Sequence, residues 1–268
     1  MTSQTTAFIG GGNMASALIG GLVRSGHAAA DIVVVEPFEA QRLKLARDFG
    51  VHAQAQADSR LAAATTVVWA VKPQLFAEAA APCKAHIGHA LQVSVMAGIR
   101  SETILVASGS ERVVRAMPNT PALIGQGIAG LFARPAVSVA ARLAVEALFA
   151  PTGQTLWVAQ ESDLDAVTAL SGSGPAYVFY FLEAMVQAGT EMGLTPEQAR
   201  LLAQSTFAGA AALAQQSPLS PTVLREQVTS KGGTTFAAIA SLDHSAVKAA
   251  FVKALHAARD RAAELGRG

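Results

Sequence analysis

Short β-rich runs alternate with helix-like segments through the first 160 residues, and this alternation limits the possible folds more than any other feature. Some runs, such as residues 32–35 and 67–71, are apolar at consecutive positions, so both faces of the strand must be covered. The pattern predicts a mostly parallel β-sheet with helices on either side. The predicted strands lie at residues 7–9, 31–35, 66–71, 91–95, 112–117, 127–132 and 154–159.

A glycine-rich turn follows the first predicted strand. Gly10, Gly12 and Ala15 form a G-x-G-x-x-A pattern that leads into the first predicted helix. Gly10 permits a tight turn, Gly12 lets the backbone approach a pyrophosphate, and the small Ala15 allows helix and strand to pack closely. The N–H groups at the start of the helix then face the phosphates. Because a second strand ending in an acid follows, the context predicts a Rossmann-type dinucleotide-binding domain rather than an ordinary turn.

The acid at the tip of the second predicted strand is Glu36. An acidic residue at this point hydrogen-bonds the adenosine ribose and repels a 2′-phosphate, which favours NADH over NADPH. A solvated loop glutamate is the alternative interpretation, and Arg42 or Arg47 could still reach a phosphate. The expected cofactor is therefore NADPH or NADH, with the preference left open.

Further loops follow later strands, at residues 70–74, 95–98 and 117–121. Open α/β sheets bind ligands at this edge. Lys72 in the first of these loops is either a catalytic amine or a lysine at a strand end near the cofactor. The second interpretation is preferred, because no carbonyl chemistry elsewhere in the sequence demands a Schiff base.

The β pattern stops near Glu161, and the rest of the sequence predicts helices. Thr195 is predicted to be an N-cap, with Pro196 at the first helical position. Residues 177–182 are apolar all round, and a domain of about 100 residues buries such a helix most easily against a second copy of itself. We therefore predict an α/β Rossmann-type domain over residues 1–160 and an all-α domain over residues 161–268.

Charge and composition exclude several classes of protein. The 20 basic and 19 acidic residues nearly balance and form no basic stripe, which argues against a nucleic-acid partner.

No stretch offers the ~20 mainly apolar residues of a membrane-spanning helix, and the start of the chain has no signal-peptide pattern. Cys83 is the single cysteine of the sequence, so the chain has no internal disulfide, which fits a reducing compartment. We expect a cytoplasmic protein without a membrane partner. No metal site is expected, because no ligand spacing connects the histidines His27, His52, His86, His89, His244 and His256.

One loop of the helical half carries a distinct chemical pattern. Gly232 and Gly233 are adjacent, are flanked by hydroxyl side chains and precede a predicted helix over residues 234–241. Such a loop makes a nest of backbone N–H donors suited to a carboxylate. A capped helix start without a ligand is the alternative interpretation.

Together with the other loops, this stretch resembles the Δ1-pyrroline-5-carboxylate reductase family. The resemblance covers essentially the whole chain, and the matching blocks stand in the family's order. They lie at residues 9–14, 70–73, 117–121, 171–177 and 228–236.

The resemblance implies reduction of Δ1-pyrroline-5-carboxylate to L-proline with NAD(P)H, the last step of proline biosynthesis. It also implies a homodimer formed through the helical domain, with further assembly in some members. The residues implied to hold the cofactor are Ile9, Gly10, Gly11, Gly12, Asn13, Met14, Ala70, Val71, Lys72, Pro73 and Ala97, with Glu36 as the candidate from the residues themselves. The residues implied to hold the substrate are Glu161, Gln227, Ser230, Gly233, Thr234 and Thr235.

Two positions depart from the family pattern. Glu36 stands where many members have a small hydroxyl residue, and Gln227 stands where some relatives have Asn. The departure at Glu36 affects the expected preference between NADPH and NADH. The departure at Gln227 affects one expected contact with the substrate.

The implied chemistry fits these residue types. A cyclic imine accepts hydride most readily when its nitrogen is protonated or strongly hydrogen-bonded, so the protein needs only to position and polarise it. We expect the Thr235 hydroxyl to act as the catalytic donor to the ring nitrogen. Ser230 and the N–H groups of Gly233 and Thr234 are expected to fix the carboxylate.

Two rival functions are less well supported. A β-hydroxyacid dehydrogenase also joins a Rossmann domain to a helical one, but it needs a lysine a few residues after its Gly-Ser-Gly sequence, and residues 176–180 contain none. A nucleotide sensor without catalysis has no use for the carboxylate nest at residues 230–235.

Overall fold

The computed structural model describes residues 5–267, which form two compact units. The first unit extends to Ser173 and includes the chain again from Ala258 onward, and the second is Gly174–Ala257. None of the helices in the described part of the chain is both long enough and apolar enough to cross a membrane.

The first unit is built on a seven-stranded sheet in the order β2-β1-β3-β4-β5-β6-β7. Neighbouring strands are parallel except β5 and β6, which are antiparallel. The prediction of a mostly parallel sheet with a helical second half is therefore confirmed. The strands are β1 (Thr5–Ile9), β2 (Ile32–Val35), β3 (Ala64–Trp69), β4 (Leu91–Ser94), β5 (Val113–Met117), β6 (Gly127–Ala133) and β7 (Gly153–Trp157).

The core of the first unit lies on both faces of this sheet, which explains the consecutive apolar positions. Phe8 packs into a cluster on one face with Leu18 and Leu45, whereas its neighbour Ile9 belongs to a second cluster with Trp69. The helices of this unit are α1 (Asn13–Arg24), α2 (Glu39–Phe49), α3 (Phe76–Ala80), α4 (Lys84–Ile87), α5 (Ser101–Ser108), α6 (Val139–Phe149) and α7 (Asp163–Val167). A π-helical turn, Thr168–Gly172, follows α7.

The second unit consists of helices, as predicted. Thr195 caps its helix with a capping box, in which its hydroxyl accepts from the Gln198 N–H and the Gln198 side chain accepts from the Thr195 N–H. Phe179 and Tyr180 are 58% and 69% exposed, so this chain alone does not bury the apolar helix. The helices are α8 (Gly174–Glu191), α9 (Pro196–Gln216), α10 (Pro221–Gln227), α11 (Thr234–His244) and α12 (Val247–Leu265), the last of which returns to the first unit.

Candidate active site

The glycine turn after β1 lies at the point where the strand order reverses. The chain leaves β1 for β2 on one side and then crosses to β3 on the other, which opens a crevice between β1 and β3. Gly10 has a φ of +95°, and a Cβ there would lie 2.6 Å from the carbonyl oxygen of Ala70. Only glycine suits this position, because both the backbone angle and the loop after β3 exclude a side chain.

Gly12 has the opposite surroundings. It is the N-cap residue of α1, with a φ of −64°, and a Cβ there would meet no atom within 4 Å. Asn13 beside it is exposed and Met14 is half-buried. The first N–H groups of α1 have no intrahelical acceptor, so the helix start is open to an anion. This open cradle at the carboxyl edge of the sheet fits the pyrophosphate of a dinucleotide.

Glu36 lies beneath the glycine turn rather than in solvent. It is 6% exposed, and its Oε2 accepts a hydrogen bond of 2.8 Å from the Gly11 N–H. Its Oε1 accepts from the Phe38 N–H at 2.9 Å. The carboxylate therefore holds the shape of the loop that is predicted to bind the pyrophosphate. The interpretation of Glu36 as a solvated loop residue is wrong, because the side chain is buried and hydrogen-bonded at both oxygens.

The arginines near Glu36 differ in their contacts. Arg42 donates from Nη1 to the carbonyl oxygens of Glu36 at 3.0 Å and Pro37 at 2.6 Å, which holds its guanidinium at the turn after β2. Arg47 is exposed and pairs with Asp48 at 2.8 Å. Of the two, Arg42 is the one fixed beside the predicted adenosine end of the site.

Gln41 is a residue of this loop system that the sequence pattern does not reveal. Its side-chain Nε2 donates to the carbonyl oxygen of Gly11 and to the Ser16 hydroxyl, the latter at 3.3 Å. A glutamine in the first turn of α2 has no local signal for this contact, because the partners lie about 25 to 30 residues away in sequence.

The loops after β3 and β4 meet the same edge of the sheet. The N–H of Ala70 donates to the Ile9 carbonyl, and the N–H of Val95 donates to the Trp69 carbonyl. Val71 and Pro73 are half-buried, whereas Lys72 is exposed. Ala97 is half-buried in the loop after β4. The structure thus brings the loops that carry the predicted cofactor residues to one edge.

Glu161 forms part of a polar cluster in the first unit. Its Oε1 accepts from the Ser101 N–H at 2.7 Å and from Arg115 Nη1 at 2.9 Å, and its Oε2 accepts from the Ser101 hydroxyl at 2.7 Å. Burial raises the pKa of Glu161, but the bonds from Ser101 and Arg115 outweigh it and hold that pKa below its ordinary value. Burial in turn lowers the pKa of Arg115, against the opposing effect of Glu161. These bonds engage both carboxylate oxygens; the substrate role of Glu161 stays a prediction.

In the Glu161→Gln variant the free energy of unfolding at neutral pH is expected to fall by about 3 kcal/mol. The reason is that the Arg115 side chain, which is only 6% exposed, loses its charged partner. The lowered pKa means that the carboxylate stabilises the fold above its unfolded pKa and that this contribution is lost as the pH falls through the folded pKa. The variant should therefore lose less stability than the wild type as the pH falls below about 4.3, the ordinary pKa of a glutamate. Urea unfolding at several pH values measures both effects.

Glu102→Gln is the matched control for this experiment. Glu102 pairs with Arg134 at 2.8 Å, but its side chain is 66% exposed, so its loss should change the free energy of unfolding by less than about 0.5 kcal/mol. Equal losses in the two variants would contradict the structural role given to Glu161.

The second unit carries the loop predicted to hold the substrate. Gly233 is the N-cap residue of α11, and its N–H donates to the Ser230 carbonyl at 3.0 Å. This bond folds the loop back so that Ser230 lies beside the helix start. The N–H groups of the first turn of α11, which begins with Thr234 and Thr235, have no intrahelical acceptor. Such a helix start suits a carboxylate.

The side chains of this loop differ in exposure. Thr235 is half-buried, whereas Ser230, Thr234 and Gln227 are exposed. Gln227 is the last residue of α10, just before this loop. The structure therefore brings Ser230, Gly233, Thr234 and Thr235 together in one turn of chain. In residues 5–267, no group of three or more His, Cys, Asp or Glu side chains is arranged to hold a metal ion.

Known proteins resemble both halves of this chain. A family model described as NADP oxidoreductase, coenzyme F420-dependent, matches residues 5–98, and one described as pyrroline-5-carboxylate reductase dimerisation matches residues 161–265. The pyrroline-5-carboxylate reductase of Pseudomonas aeruginosa is 44% identical over 269 residues, covering 99% of this chain and 98% of that protein. The Haemophilus influenzae enzyme of the same name is 41% identical, with the same coverage of both chains.

Solved structures agree with these relatives. A pyrroline-5-carboxylate reductase from Coxiella burnetii is 36% identical and superposes with a TM-score of 0.90, covering 98% of this chain and 99% of that one. A Plasmodium falciparum pyrroline carboxylate reductase with NADP bound is 26% identical, with a TM-score of 0.89 and 99% coverage of both chains. Full-length identity, the matching dimerisation model and the shared fold lead to one conclusion: this chain belongs to the pyrroline-5-carboxylate reductase family.

Proposed function

We propose that this chain reduces the imine of Δ1-pyrroline-5-carboxylate to L-proline with NAD(P)H, the last step of proline biosynthesis, using two loop systems. The observation that supports this most strongly is that the chain combines an open glycine turn at the sheet switch point with a hydroxyl-rich helix start in the second unit. The relatives named pyrroline-5-carboxylate reductase match it over 99% of its length.

The first unit holds the dinucleotide in this proposal. The pyrophosphate lies against the backbone of Gly11 and Gly12 at the start of α1, and Glu36 keeps that turn in shape from below. The loops at residues 70–73 and at Ala97 line the rest of the cofactor at the same edge. When bound, the reduced nicotinamide supplies the hydride that the imine carbon accepts.

The second unit holds the substrate. Ser230 and the N–H groups of Gly233 and Thr234 bind the carboxylate, since the start of α11 offers unpaired donors with a favourable dipole. The Thr235 hydroxyl donates to the ring nitrogen, which withdraws electrons from the adjacent carbon and makes it a better hydride acceptor. As that carbon accepts the hydride, the C=N electron pair moves to the nitrogen, which takes up a proton through the Thr235 hydroxyl, itself resupplied from water. Gln227 and Glu161 remain predicted neighbours of the substrate.

The direct test follows absorbance of the reduced cofactor after pyrroline-5-carboxylate is added to the folded protein. Consumption of NADPH or NADH with matching formation of L-proline supports the proposal. If neither cofactor is consumed by protein that shows a cooperative unfolding transition, the proposed reaction is wrong.

Glu36→Ser is expected to shift cofactor use toward NADPH, because it removes a negative charge from the turn where a 2′-phosphate would lie. It also removes the acceptor of the Gly11 and Phe38 N–H groups, so affinity for both cofactors should fall somewhat. Glu36→Gln separates the two effects, because the amide keeps the shape and one acceptor but not the charge. The measurement is the ratio of kcat/KM for NADPH to that for NADH.

A ratio that rises in both variants supports charge repulsion as the cause. Equal ratios in wild type, Glu36→Ser and Glu36→Gln would count against any specificity role for Glu36.

We further propose that the chain forms a homodimer through the second unit and works in the cytoplasm. The exposed aromatic residues Phe179 and Tyr180 and the match to a dimerisation model support the dimer. The lone, buried Cys83, whose pKa burial raises to about 11, is unreactive and consistent with a reducing compartment. Assembly beyond a dimer is a further expectation that sedimentation can measure.

A further inference from the structure

Arg100 lies where separate segments of the first unit meet. Its Nη2 pairs with Asp165 Oδ2 at 2.8 Å, and its Nε donates to the carbonyl oxygen of Gly266 at 3.3 Å. Asp165 belongs to α7, and Gly266 follows the end of α12. Arg100 therefore joins two segments that are far apart in the sequence.

The loop just before Arg100 also contacts the end of the chain. Gly98 has a φ of +75°, and a Cβ there would lie 3.1 Å from the carbonyl oxygen of Leu265 and 3.3 Å from its Cβ. The last turn of α12 thus rests directly on the loop after β4. That loop carries Ala97, which is predicted to line the cofactor.

The loop between β4 and α5 is also held by contacts with Glu161 and Asp165. Ser101, the residue after Arg100, donates both its N–H and its hydroxyl to Glu161. Asp165 is 9% exposed, so its pairing with Arg100 takes place mostly out of water. The short loop between β4 and α5 is therefore held from α7 and from the chain terminus at once.

We propose that Arg100 is a positioning residue for the cofactor, and that the C-terminal turn at Leu265 and Gly266 acts with it to hold the loop of Ala97 in its binding conformation. This inference rests on the proposed function only in taking that loop as part of the dinucleotide site. Arg100 acts through the loop and needs no contact with either ligand.

A substitution at Gly266 tests whether Arg100 and the C-terminal turn act together. A Cβ at residue 266 would lie 2.5 Å from Arg100 Nε, so Gly266→Ala pushes the guanidinium aside while keeping its charge. In an Arg100→Ala background there is no guanidinium to displace. The two changes should therefore be strongly non-additive.

The experiment measures the Kd of NADPH by fluorescence titration without substrate, together with Tm. Arg100→Ala is expected to raise the Kd about tenfold, and Gly266→Ala should raise it in the wild-type background but not in the Arg100→Ala background. Arg100→Lys keeps a charge near Asp165 without the second bond, so it should retain most of the Tm and show an intermediate Kd. Arg112→Ala, which removes only an exposed bond to the His89 carbonyl, is the control and should bind NADPH as the wild type does.

Two results would overturn the proposal: a Kd within about twofold of wild type in folded Arg100→Ala, or an equal effect of Gly266→Ala in both backgrounds. Because the titration contains no pyrroline-5-carboxylate, it reads cofactor binding alone. A wild-type protein that binds NADPH but reduces no imine would disprove the proposed reaction and leave this test intact.

Discussion

Replacing Thr235 by alanine is expected to lower kcat/KM for pyrroline-5-carboxylate by about 100-fold, while Tm and NADPH affinity stay at wild-type values. Loss of one positioned donor to a reacting atom costs on this scale in other enzymes. Thr235 stands in the first turn of α11 and is half-buried, so its removal leaves the helix and the separate first unit intact. Steady-state kinetics at saturating NADPH measure the effect.

Two control variants help to interpret the Thr235→Ala result. Thr235→Ser keeps the hydroxyl and should recover most of the activity, which separates the donor from the shape of the side chain. Thr190→Ala removes a hydroxyl of the same unit that donates to the Val186 carbonyl at 2.9 Å, and it should leave kcat/KM unchanged. If Thr235→Ala stays within about twofold of wild type, roughly 0.4 kcal/mol of transition-state stabilisation, Thr235 has no catalytic role.

Gly12→Ala is expected to fold normally and yet to weaken NADPH binding at least about tenfold. The methyl group meets no protein atom within 4 Å, and the φ of −64° suits alanine, so the free energy of unfolding should fall by no more than about 1 kcal/mol, the usual cost of alanine at an N-cap. The same open space is where the pyrophosphate must approach the backbone, and the methyl group occupies it. Fluorescence titration with NADPH and a thermal unfolding curve give the two readouts.

Gly88→Ala is the matched control for Gly12→Ala. Gly88 lies in the same unit, where a Cβ would make an ordinary contact of 3.6 Å with the Ser108 carbonyl oxygen. This variant should bind NADPH like the wild type. An unchanged Kd in Gly12→Ala would mean that the dinucleotide does not approach this turn.

The sheet could be predicted from the sequence because its cause is local. Phe8 and Ile9 are adjacent but serve cores on opposite faces, so the run of apolar residues reports directly on a sheet covered on both sides. The predicted third strand reached residue 71, whereas β3 ends at Trp69. Ala70 and Val71 lie beyond the strand but still pack against the two cores of the sheet, so the apolar run continues past the end of β3.

The polar contacts of the site could not be predicted in the same way. Glu36 is recognisable as an acid at a strand end, but its bond to the Gly11 N–H depends on how two loops meet. The pairs of Arg100 with Asp165 and of Arg115 with Glu161 join residues 65 and 46 positions apart. No periodicity marks such pairs, because each partner is a single residue on its own segment.

The return of α12 to the first unit was also outside the reach of local patterns. In the last helix the apolar residues are spaced by three or four, which predicts a buried face but not which unit buries it; they are Val247, Phe251, Leu255, Ala258, Ala262 and Leu265. The structure places Ala258 onward with the sheet unit, and Leu265 rests on Gly98. The predicted domain division between residues 160 and 161 stays a prediction.

The most direct test of the proposed reaction uses two preparations of NADPH. Each is deuterated at C4 of the nicotinamide, one on each of the two faces from which hydride could be transferred. One preparation should yield L-proline with a single deuterium on the ring carbon that was the imine carbon, and Thr235→Ala should form this product far more slowly. Unlabelled proline from both preparations, or consumption of NADPH without formation of proline, would contradict direct hydride transfer to the imine by this chain.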